Sequence, residues 1–560
     1  MTITQIQPDG SSEKADPPSS TANDLINEIT VSSLASVSQQ SVPKHTISHD
    51  EATLVQESVE SVETDEPRVV LTERDCPEVL ATSWPRYQKW IILLCTFLVQ
   101  ISMNLNASLY ANAQSGIQKE FGVSQMAAVS GSALFLVMYA FGCELWAPWS
   151  EELGRKPILQ VSLLCVNLMC LPVAYAHRNG RFHAILVGRA FGGLFSAGGS
   201  VTLGVVADMY TLRRQEYPLA FIVLSSVGGS IIGPIIGGFI ETRMYWTWCI
   251  WVQLIVGVFV QVLHFVLVPE TRSSIRIGFY AKGIRKESKK RTGKKLNIYG
   301  PSEGMTWRDF LLPRGLWDLW TRPFHMFITE RIVLVLSTLS GFSDALIFMQ
   351  IQSLGLVFRI WNFNTIQVGL AFIPIGVGYL IGYLLFIPVI SRNRALRANN
   401  PQSEHAQYES RLWWLLYTAP LLPIGLLIFA WTSDPRAHWI GPMIACVLIG
   451  IANYTIYMTS IDYMVAAYGP FSASATGGNG FARDFLAGIL TWGAAPYYNA
   501  FSGAYSLQLA NTVLACVSLI LVAATFFVYY KGPSMRKKSP FAQSLAQGIT
   551  DADAEPATSI

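Results

Sequence analysis

Twelve apolar runs follow one another between residues 88 and 530, and each has the length, roughly 20 residues, with which a helix crosses a bilayer. We number these runs spans 1 to 12: 88–110, 126–148, 157–176, 182–208, 217–240, 246–268, 328–356, 366–390, 411–432, 439–464, 475–497 and 506–530. The polar residues 269–327 separate two sets of six. The chain is therefore predicted to be an all-α integral membrane protein with twelve transmembrane helices in two six-helix bundles.

The composition excludes a soluble globular protein and gives no sign of a nucleic-acid partner. Only 14% of the 560 residues are charged, whereas about a quarter are charged in soluble domains. The net charge of +3 comes from basic residues in predicted loops rather than on one face. Seven of the eight cysteines lie in or beside apolar runs without metal-ligand spacing, so they are predicted to be packing residues.

The spans divide the chain into five parts. Residues 1–85 are polar and show no sustained apolar period, which predicts a disordered N-terminal tail. The two bundles are predicted at 86–268 and 328–530. Between them, the central loop at 269–327 contains the basic run IRKESKKRTGKK, and residues 531–560 form a C-terminal tail.

Basic residues in the loops predict the orientation in the membrane. An even number of spans places both termini on one side, which we call the tail side. Loops of the tail side carry Arg86, Lys89, Arg155, Lys156, Arg213, Arg214, Arg392, Arg394, Arg397, Lys531, Arg536, Lys537 and Lys538, besides the central loop. Opposite loops carry only Lys119, Arg178, Arg181, Arg243, Arg359 and Arg436. The tail side is therefore predicted to be cytoplasmic.

Span 5 contains the glycine-rich stretch Ser225 to Ile240, SSVGGSIIGPIIGGFI. Its glycines at spacing four, Gly229, Gly233 and Gly237, share one helical face on which a second backbone is able to approach closely. Pro234 lacks an amide hydrogen, so the helix is expected to bend there. Tight packing and a helix that moves against a partner are both compatible with this pattern.

Two stretches resemble motifs of the major facilitator superfamily and, within it, of the fungal twelve-span drug:proton antiporters. The loop after span 2, WAPWSEELGRKP, is similar to Gly-x-Leu-x-Asp-Arg-x-Gly-Arg-Arg: Gly154, Arg155 and Lys156 match, and Glu151 keeps the charge of the aspartate. The stretch from Gly229 to Gly238, with Gly233, Pro234 and Gly237, is similar to the antiporter signature Gly-x-x-x-Gly-Pro-x-x-Gly-Gly. PETR after span 6 and KGPSMRKKSPFAQ after span 12 are typical of the fungal branch.

The resemblance implies a transporter that works by alternating access, in which the charged loop after span 2 latches one conformation. It also associates Arg189, in the span 4 motif LVGRAFGGLFSAGG, with proton coupling. Snorkelling of Arg189 to the outer interface is the alternative.

Charged residues within the spans are candidates for proton coupling. Asp344 lies near the middle of span 7, where a lone carboxylate is disfavoured as a charge and suits a proton carrier or a cation anchor. Arg483 and Asp484 in span 11 are adjacent and point about 100° apart, so they are not expected to act simply as one pair. Water is expected to reach Glu144, near the tail-side end of span 2, which favours a structural or interfacial role.

Polar and aromatic residues within the spans are candidates for the wall of a substrate cavity, since such walls accept diverse amphipathic molecules. Packing and interfacial roles are equally compatible with each. The candidates are Gln100, Asn104, Tyr139, Gln350, Tyr379, Tyr383, Asn453, Tyr457 and Asn479.

The sequence contains no motif for catalysis or for a cofactor. It lacks the GxxxxGK[ST] phosphate loop as well as HExxH and CxxC patterns, so the chain is predicted not to be an enzyme and to use the proton gradient rather than ATP or a metal. Asn106 and Asn453 fit the glycosylation pattern, but Asn453 lies within a span and Asn106 lies near the outer end of one, so both are weak sites.

These observations predict a proton-coupled exporter of small hydrophobic or cationic molecules, such as drugs, toxins, secondary metabolites or polyamines. A proton-coupled nutrient importer of the same superfamily and a nontransporting membrane receptor are the alternatives. The expected partners are a small-molecule substrate, protons and the lipid bilayer, and the chain is expected to work as a monomer. The plasma membrane is the predicted location, with the vacuolar membrane as the alternative.

Overall fold

The computed structural model describes residues 69–211, 214–293, 296–301, 303, 316–468, 472–501, 503 and 505–539. In this part of the chain, eleven helices are long and apolar enough to cross a membrane. The helix Ser472–Ala500, at the position of predicted span 11, has 29 residues but is not among the eleven. It contains Arg483, Asp484 and several glycines, which make it less apolar than the others.

The N-terminal half contains spans 1 to 6. Their helices are Arg86–Leu109, Gln125–Leu153, Arg155–Ala174, Phe182–Ser196 continued by Val201–Met209, Glu216–Arg243 and Thr247–Leu267. Short helices at Gln114–Phe121 and Ala176–Asn179 and 3-10 turns at Tyr110–Ala113 and Ala197–Ser200 connect or interrupt them. The predicted boundaries of these spans agree with the helices to within about five residues.

The C-terminal half contains spans 7 to 12. Their helices are Arg331–Phe358, Thr365–Leu370 continued by Ile373–Asn399, Trp413–Thr418 continued by Leu421–Thr432, Ile440–Tyr468, Ser472–Ala500 and Ser506–Arg536. Prolines explain the interruptions, since Pro374 lies in the first turn of the second part of span 8 and Pro420 lies between the parts of span 9. A short helix at Glu404–Gln407 and 3-10 turns at Arg359–Trp361 and Glu409–Arg411 complete this half.

Two features of the sequence fix the two ends of span 2. Ser124 accepts a hydrogen bond from the backbone N–H of Ala127 and caps the start of span 2. Gly154 separates spans 2 and 3 with φ of +99°, a conformation that side chains rarely adopt. A Cβ at Gly154 would lie 2.5 Å from Oε2 of Glu270, so this turn requires glycine for its contacts as well.

The glycine face of span 5 packs against span 1, as its spacing predicts. A Cβ at Gly229 would lie 2.7 Å from Cβ of Asn104, and one at Gly233 would lie 2.8 Å from the backbone nitrogen of Leu109. Both contacts are inside the N-terminal half. Gly238 instead faces span 8 of the other half, where its Cβ would lie 3.0 Å from the carbonyl oxygen of Thr365. Span 5 therefore contacts a neighbour in its own half and one across the interface.

Replacing Gly233 by alanine is expected to reduce the amount of folded protein. The added methyl group meets Ser108 and the backbone of Leu109, neither of which moves without separating spans 1 and 5, so the stability loss should be roughly 1–3 kcal/mol. Gly228→Ala is the matched control, since nothing lies within 4 Å of its added Cβ. Thermal unfolding of the purified variants measures both, and equal stabilities would contradict the tight contact.

The chain before span 1 is packed on the central loop. Val69–Val70 pairs in parallel with Ile298–Tyr299, and Leu71 and Cys76 are buried against the loop helix Ser273–Thr292. Burial raises the pKa of the Cys76 thiol to about 11. The prediction of a disordered tail is therefore wrong for residues 69–85, because their few apolar side chains find partners in a distant segment, and residues 1–68 lie outside the described residues.

The polar central loop also contains regular structure. Besides the basic helix Ser273–Thr292, the helix Leu316–Thr329 precedes span 7 and packs against spans 2 and 11. We call residues 69–85 the strap, because they connect this loop to the start of span 1.

Candidate functional site

A cavity of about 540 Å³ extends from the centre of the molecule to the tail-side loops. At its inner end lie Gln100 and Tyr139 from the N-terminal half and Tyr457 and Arg483 from the C-terminal half. The residues of its tail-side end are Glu73, Leu80 and Thr82 of the strap, with Glu151, Arg155, Asp208 and Arg272. Both halves and the strap therefore form the wall.

The central charge cluster consists of Asp344 on span 7 and of Arg483 and Asp484 on span 11. All three residues are less than 10% exposed. Nη2 of Arg483 donates to Oδ2 of Asp484 at 3.1 Å, and Nε of Arg483 lies 3.7 Å from Oδ2 of Asp344. One cation thus faces two carboxylates, so the cluster binds one proton or carries a net negative charge.

This geometry corrects two expectations about the cluster. Arg483 and Asp484 do form one pair, because the long arginine side chain turns back to its neighbour although the two Cβ atoms diverge. Asp344 is not a lone carboxylate, since Arg483 lies within ion-pair distance. Within the described residues, Nε of Arg483 has no hydrogen-bond partner, so its contact with Asp344 is the looser of the two.

Three of the nine predicted cavity residues line the wall. Nε2 of Gln100 donates to the hydroxyl of Ser226 at 3.0 Å, and the ring of Tyr457 lies 4.6 Å from the guanidinium carbon of Arg483. A Cβ at Gly199 would lie 3.2 Å from the hydroxyl of Tyr139. The inner end therefore combines aromatic faces with an amide, hydroxyls and a paired cation.

The structure places the other six candidates outside this wall. Asn104 donates to the carbonyl oxygen of Gln100, Asn453 donates to Ser343, and Asn479 contacts the sulfur of Met464. The amide of Gln350 and the hydroxyl of Tyr379 are buried and form no hydrogen bond with a residue that the structure describes, and Tyr383 lies edge-on to Tyr454. These side chains pack between spans.

Arg189 is buried in the N-terminal half and does not snorkel to the surface. Only 2% of it is exposed. Its Nη1 donates to the backbone and side-chain oxygens of Asn106, both at 2.9 Å, and its guanidinium lies between the rings of Tyr110 and Phe135. The weak prediction of a glycan on Asn106 is therefore contradicted, because this amide is buried and paired with Arg189.

The charged loop after span 2 is held by carboxylates that the sequence analysis did not single out. Oε1 and Oε2 of Glu270 accept the backbone N–H groups of Arg155 and Lys156 at 2.9 and 3.1 Å, at the start of span 3. Nε of Arg155 donates to Asp208 at 3.1 Å. Glu151, which keeps the charge of the motif's aspartate, forms a looser ion pair with Arg155, at 3.8 Å. Glu270 is therefore the cap, and the PETR motif has a structural role.

Replacing Glu270 by glutamine is expected to lower the free energy of unfolding by about 1 kcal/mol, because a charge is lost at two backbone donors and at a helix start. Glu152→Gln in the same loop is the control, since no ion pair of Glu152 occurs in the described part of the chain. Thermal unfolding in detergent measures the difference. A smaller loss for Glu270→Gln than for Glu152→Gln would contradict the cap.

An ion network joins the two halves on the tail side. Glu216 at the start of span 5 is 3% exposed and accepts from Arg394 at 2.6 Å and from Arg411 at 3.1 Å, and Arg397 contacts it as well. Arg411 also pairs with Asp462. We call these residues the Glu216 network. Arg394 and Arg397 were expected only as topology signals, and Glu216 and Arg411 were not singled out, because nothing local connects residue 216 with residues near 400.

Glu144 is buried, contrary to the expectation that water reaches it. It is 6% exposed, and its Oε1 accepts no hydrogen bond from the part of the chain that the structure describes. The expectation failed because span 2 extends to Leu153 and span 11 covers this part of it. Neither fact is visible in the local sequence.

The sequence is similar to those of known membrane transporters. The sequence model of the Major Facilitator Superfamily matches residues 92–491. The transporter paaT of Penicillium rubens is 28% identical over 86% of this chain and 85% of its own length. MFS-type transporter acdC of Aspergillus candidus is 29% identical over 83% and 89%, and an ascochitine biosynthesis cluster MFS transporter of Didymella fabae is 26% identical over 82% and 87%.

Solved structures show the same fold at low sequence identity. The human organic anion transporter MFSD10 superimposes with a TM-score of 0.52 and 17% identity, over 79% of this chain and all of the other. The proton:xylose symporter XylE gives a TM-score of 0.55 and 13% identity, over 80% and 96%.

Proposed function

Because the chain belongs to the major facilitator superfamily of membrane transporters and is not an enzyme, we propose that it is a proton-coupled secondary transporter. It exports small hydrophobic or cationic molecules by alternating access, with secondary metabolites, drugs, toxins or polyamines as substrates. The chain requires no cofactor in this proposal, since the proton gradient supplies the energy.

The central charge cluster is the observation that carries the proposal. One buried arginine and two carboxylates together carry one negative charge, so the cluster is one proton short of neutrality. Arg483 of this cluster lies at the inner end of the cavity. Binding of a proton to Asp344, which makes the looser contact, neutralises the cluster at small cost to the Arg483–Asp484 pair. A cationic substrate competes with that proton for the same negative charge, which is the requirement for exchange.

Export is supported by two observations. The glycine-proline signature of span 5 resembles that of antiporters, and a relative in Didymella fabae is a transporter of a biosynthesis cluster. Location in the plasma membrane, cytoplasmic termini and action as a monomer are parts of the same proposal. The multi-pass architecture and the basic tail-side loops support the orientation.

Transport into sealed vesicles tests the proposal. The protein is reconstituted with its tail side outward and an acidic lumen, and rhodamine 6G, spermidine and a neutral hydrophobic dye are offered outside. We expect at least one probe to accumulate in the lumen while protons leave, and a protonophore to abolish the accumulation. Empty vesicles are the control.

The same vesicles separate the alternatives. An importer coupled to protons would instead release a preloaded probe as protons leave. A receptor would move no probe in either direction. Absence of any flux that responds to the gradient, with protein shown to be folded, would contradict the proposed function.

A further inference from the structure

The carboxyl group of Glu144 lies between the two halves of the molecule. Its side chain belongs to span 2, and a Cβ built at Gly477 of span 11 would lie 3.0 Å from its Oε2 and 3.1 Å from its Oε1. In the part of the chain that the structure describes, no ion pair includes Glu144, and its Oε1 accepts no hydrogen bond. The carboxyl group of Glu144 is thus enclosed and packs against the backbone of Gly477 in the opposite half.

Spans 2 and 11 run antiparallel, which fixes the position of Glu144 relative to the central charge cluster. Gly488 contacts span 2 near Val137, Gly480 approaches Cys143, and Gly477 approaches Glu144. Since Gly477 precedes Arg483 by six residues on a helix that starts at the tail side, Glu144 lies nearer to that side than the cluster. Its neighbours Cys143, Gly477 and Gly480 line the cavity.

The surrounding elements supply charged groups, but none of them pairs with Glu144. The groups on the elements packed against this part of span 2 are Arg483 and Asp484 on span 11, Arg322 and His325 on the helix Leu316–Thr329, Asp208 on span 4, and Cys143 and Glu151 on span 2 itself. Arg483 is engaged by the two aspartates and Asp208 by Arg155. Among the residues that the structure describes, none forms an ion pair with Glu144 and thereby supplies a counter-charge to its ionised form.

A buried carboxylate without a counter-charge or donor is strongly disfavoured, whereas the neutral acid is tolerated. We propose that Glu144 is a second proton-binding site, which holds a proton while spans 2 and 11 are packed together and releases it when they separate. On release, the O–H bond of the acid breaks and the proton passes to water in the cavity. This inference rests on the proposed function for its role in transport, but not for the protonation itself.

The position of Glu144 gives the second site a role in coupling. A proton that leaves the cluster towards the tail side passes the level of Glu144 before it reaches the loops. Closure of spans 2 and 11 over Glu144 requires the neutral form, so protonation favours closure and ionisation favours separation. Gly477 contributes by leaving the space that the carboxyl group occupies.

Infrared spectroscopy of the purified protein in lipid nanodiscs tests the protonation directly. We expect an absorption band of protonated carboxyl groups at neutral pH, and Glu144→Gln should remove one carboxyl group from it. Glu241→Gln is the matched control, because the carboxylate of Glu241 is also on a span but accepts hydrogen bonds from Asn112 and Ser115 at 3.0 and 2.7 Å, and this variant should leave the band unchanged. An unchanged band in Glu144→Gln, as in the control, would overturn the proposal.

Two further measurements keep the result interpretable. Glutamine resembles the neutral acid in size and charge, so the variant should fold; should it fail to do so, Glu144→Met removes the same band. In the vesicle assay with rhodamine 6G, Glu144→Gln should flatten the dependence of flux on tail-side pH, whereas a merely structural residue would lower flux equally at every pH. If Glu144→Gln loses the band but the wild-type protein shows no flux, the proton-binding site is supported and the proposed function is rejected.

Discussion

Asparagine in place of Asp344 is expected to reduce proton-driven flux of rhodamine 6G by at least about tenfold, while the protein remains as abundant as the wild type. The amide cannot bind and release a proton, but it keeps the volume and polarity of the side chain. Asp344 lies 3.7 Å from Nε of Arg483 and accepts no hydrogen bond from it. The variant therefore loses a titratable group without losing a strong contact.

The neighbouring carboxylate provides the comparison. Asp484 accepts from Nη2 of Arg483 at 3.1 Å in a buried position, so Asp484→Asn breaks a buried ion pair and should cost roughly 3–5 kcal/mol of stability. Its main effect should be on protein abundance. Asp434→Asn, in the loop after span 9, should change neither quantity. Wild-type flux in Asp344→Asn would exclude Asp344 as the proton carrier.

The fold was predictable because its signal is local. The length of an apolar run reports a membrane crossing within the run itself, and the spacing of Gly229, Gly233 and Gly237 reports a packing face in the same way. The structure confirms eleven spans by length and composition. The helix of span 11 is not among these eleven, and it carries the buried charges Arg483 and Asp484.

The site was predictable only in part because its contacts connect distant residues. Charged residues inside spans are unusual enough to be noticed singly, as Asp344 and Arg189 were. The contacts between charged residues cannot be noticed in this way, because the partners are distant in the sequence. Glu270, for example, lies 115 residues from Arg155. Exposure also depends on tertiary packing: Glu144 is near a predicted span end, yet the opposite half covers it.

Removal of the Glu216 carboxylate is expected to open the tail side. Glu216→Ala leaves three arginines of the C-terminal half, Arg394, Arg397 and Arg411, without the carboxylate of the N-terminal half that they share, and only Asp462, which is in their own half, remains as a counter-charge. Breaking a buried pair costs about 3–5 kcal/mol, and about 1.4 kcal/mol already shifts an equilibrium tenfold. We expect conformations with separated halves to become at least about tenfold more populated.

Reactivity of Cys143 reports this separation, because the thiol is 4% exposed and lines the cavity. In a background in which the other seven of the eight cysteines are alanine, a water-soluble maleimide should modify Cys143 correspondingly faster in Glu216→Ala. Glu241→Ala is the control, since the partners of Glu241, Asn112 and Ser115, are in its own half. Equal labelling rates in the two variants would show that the Glu216 network does not hold the halves together.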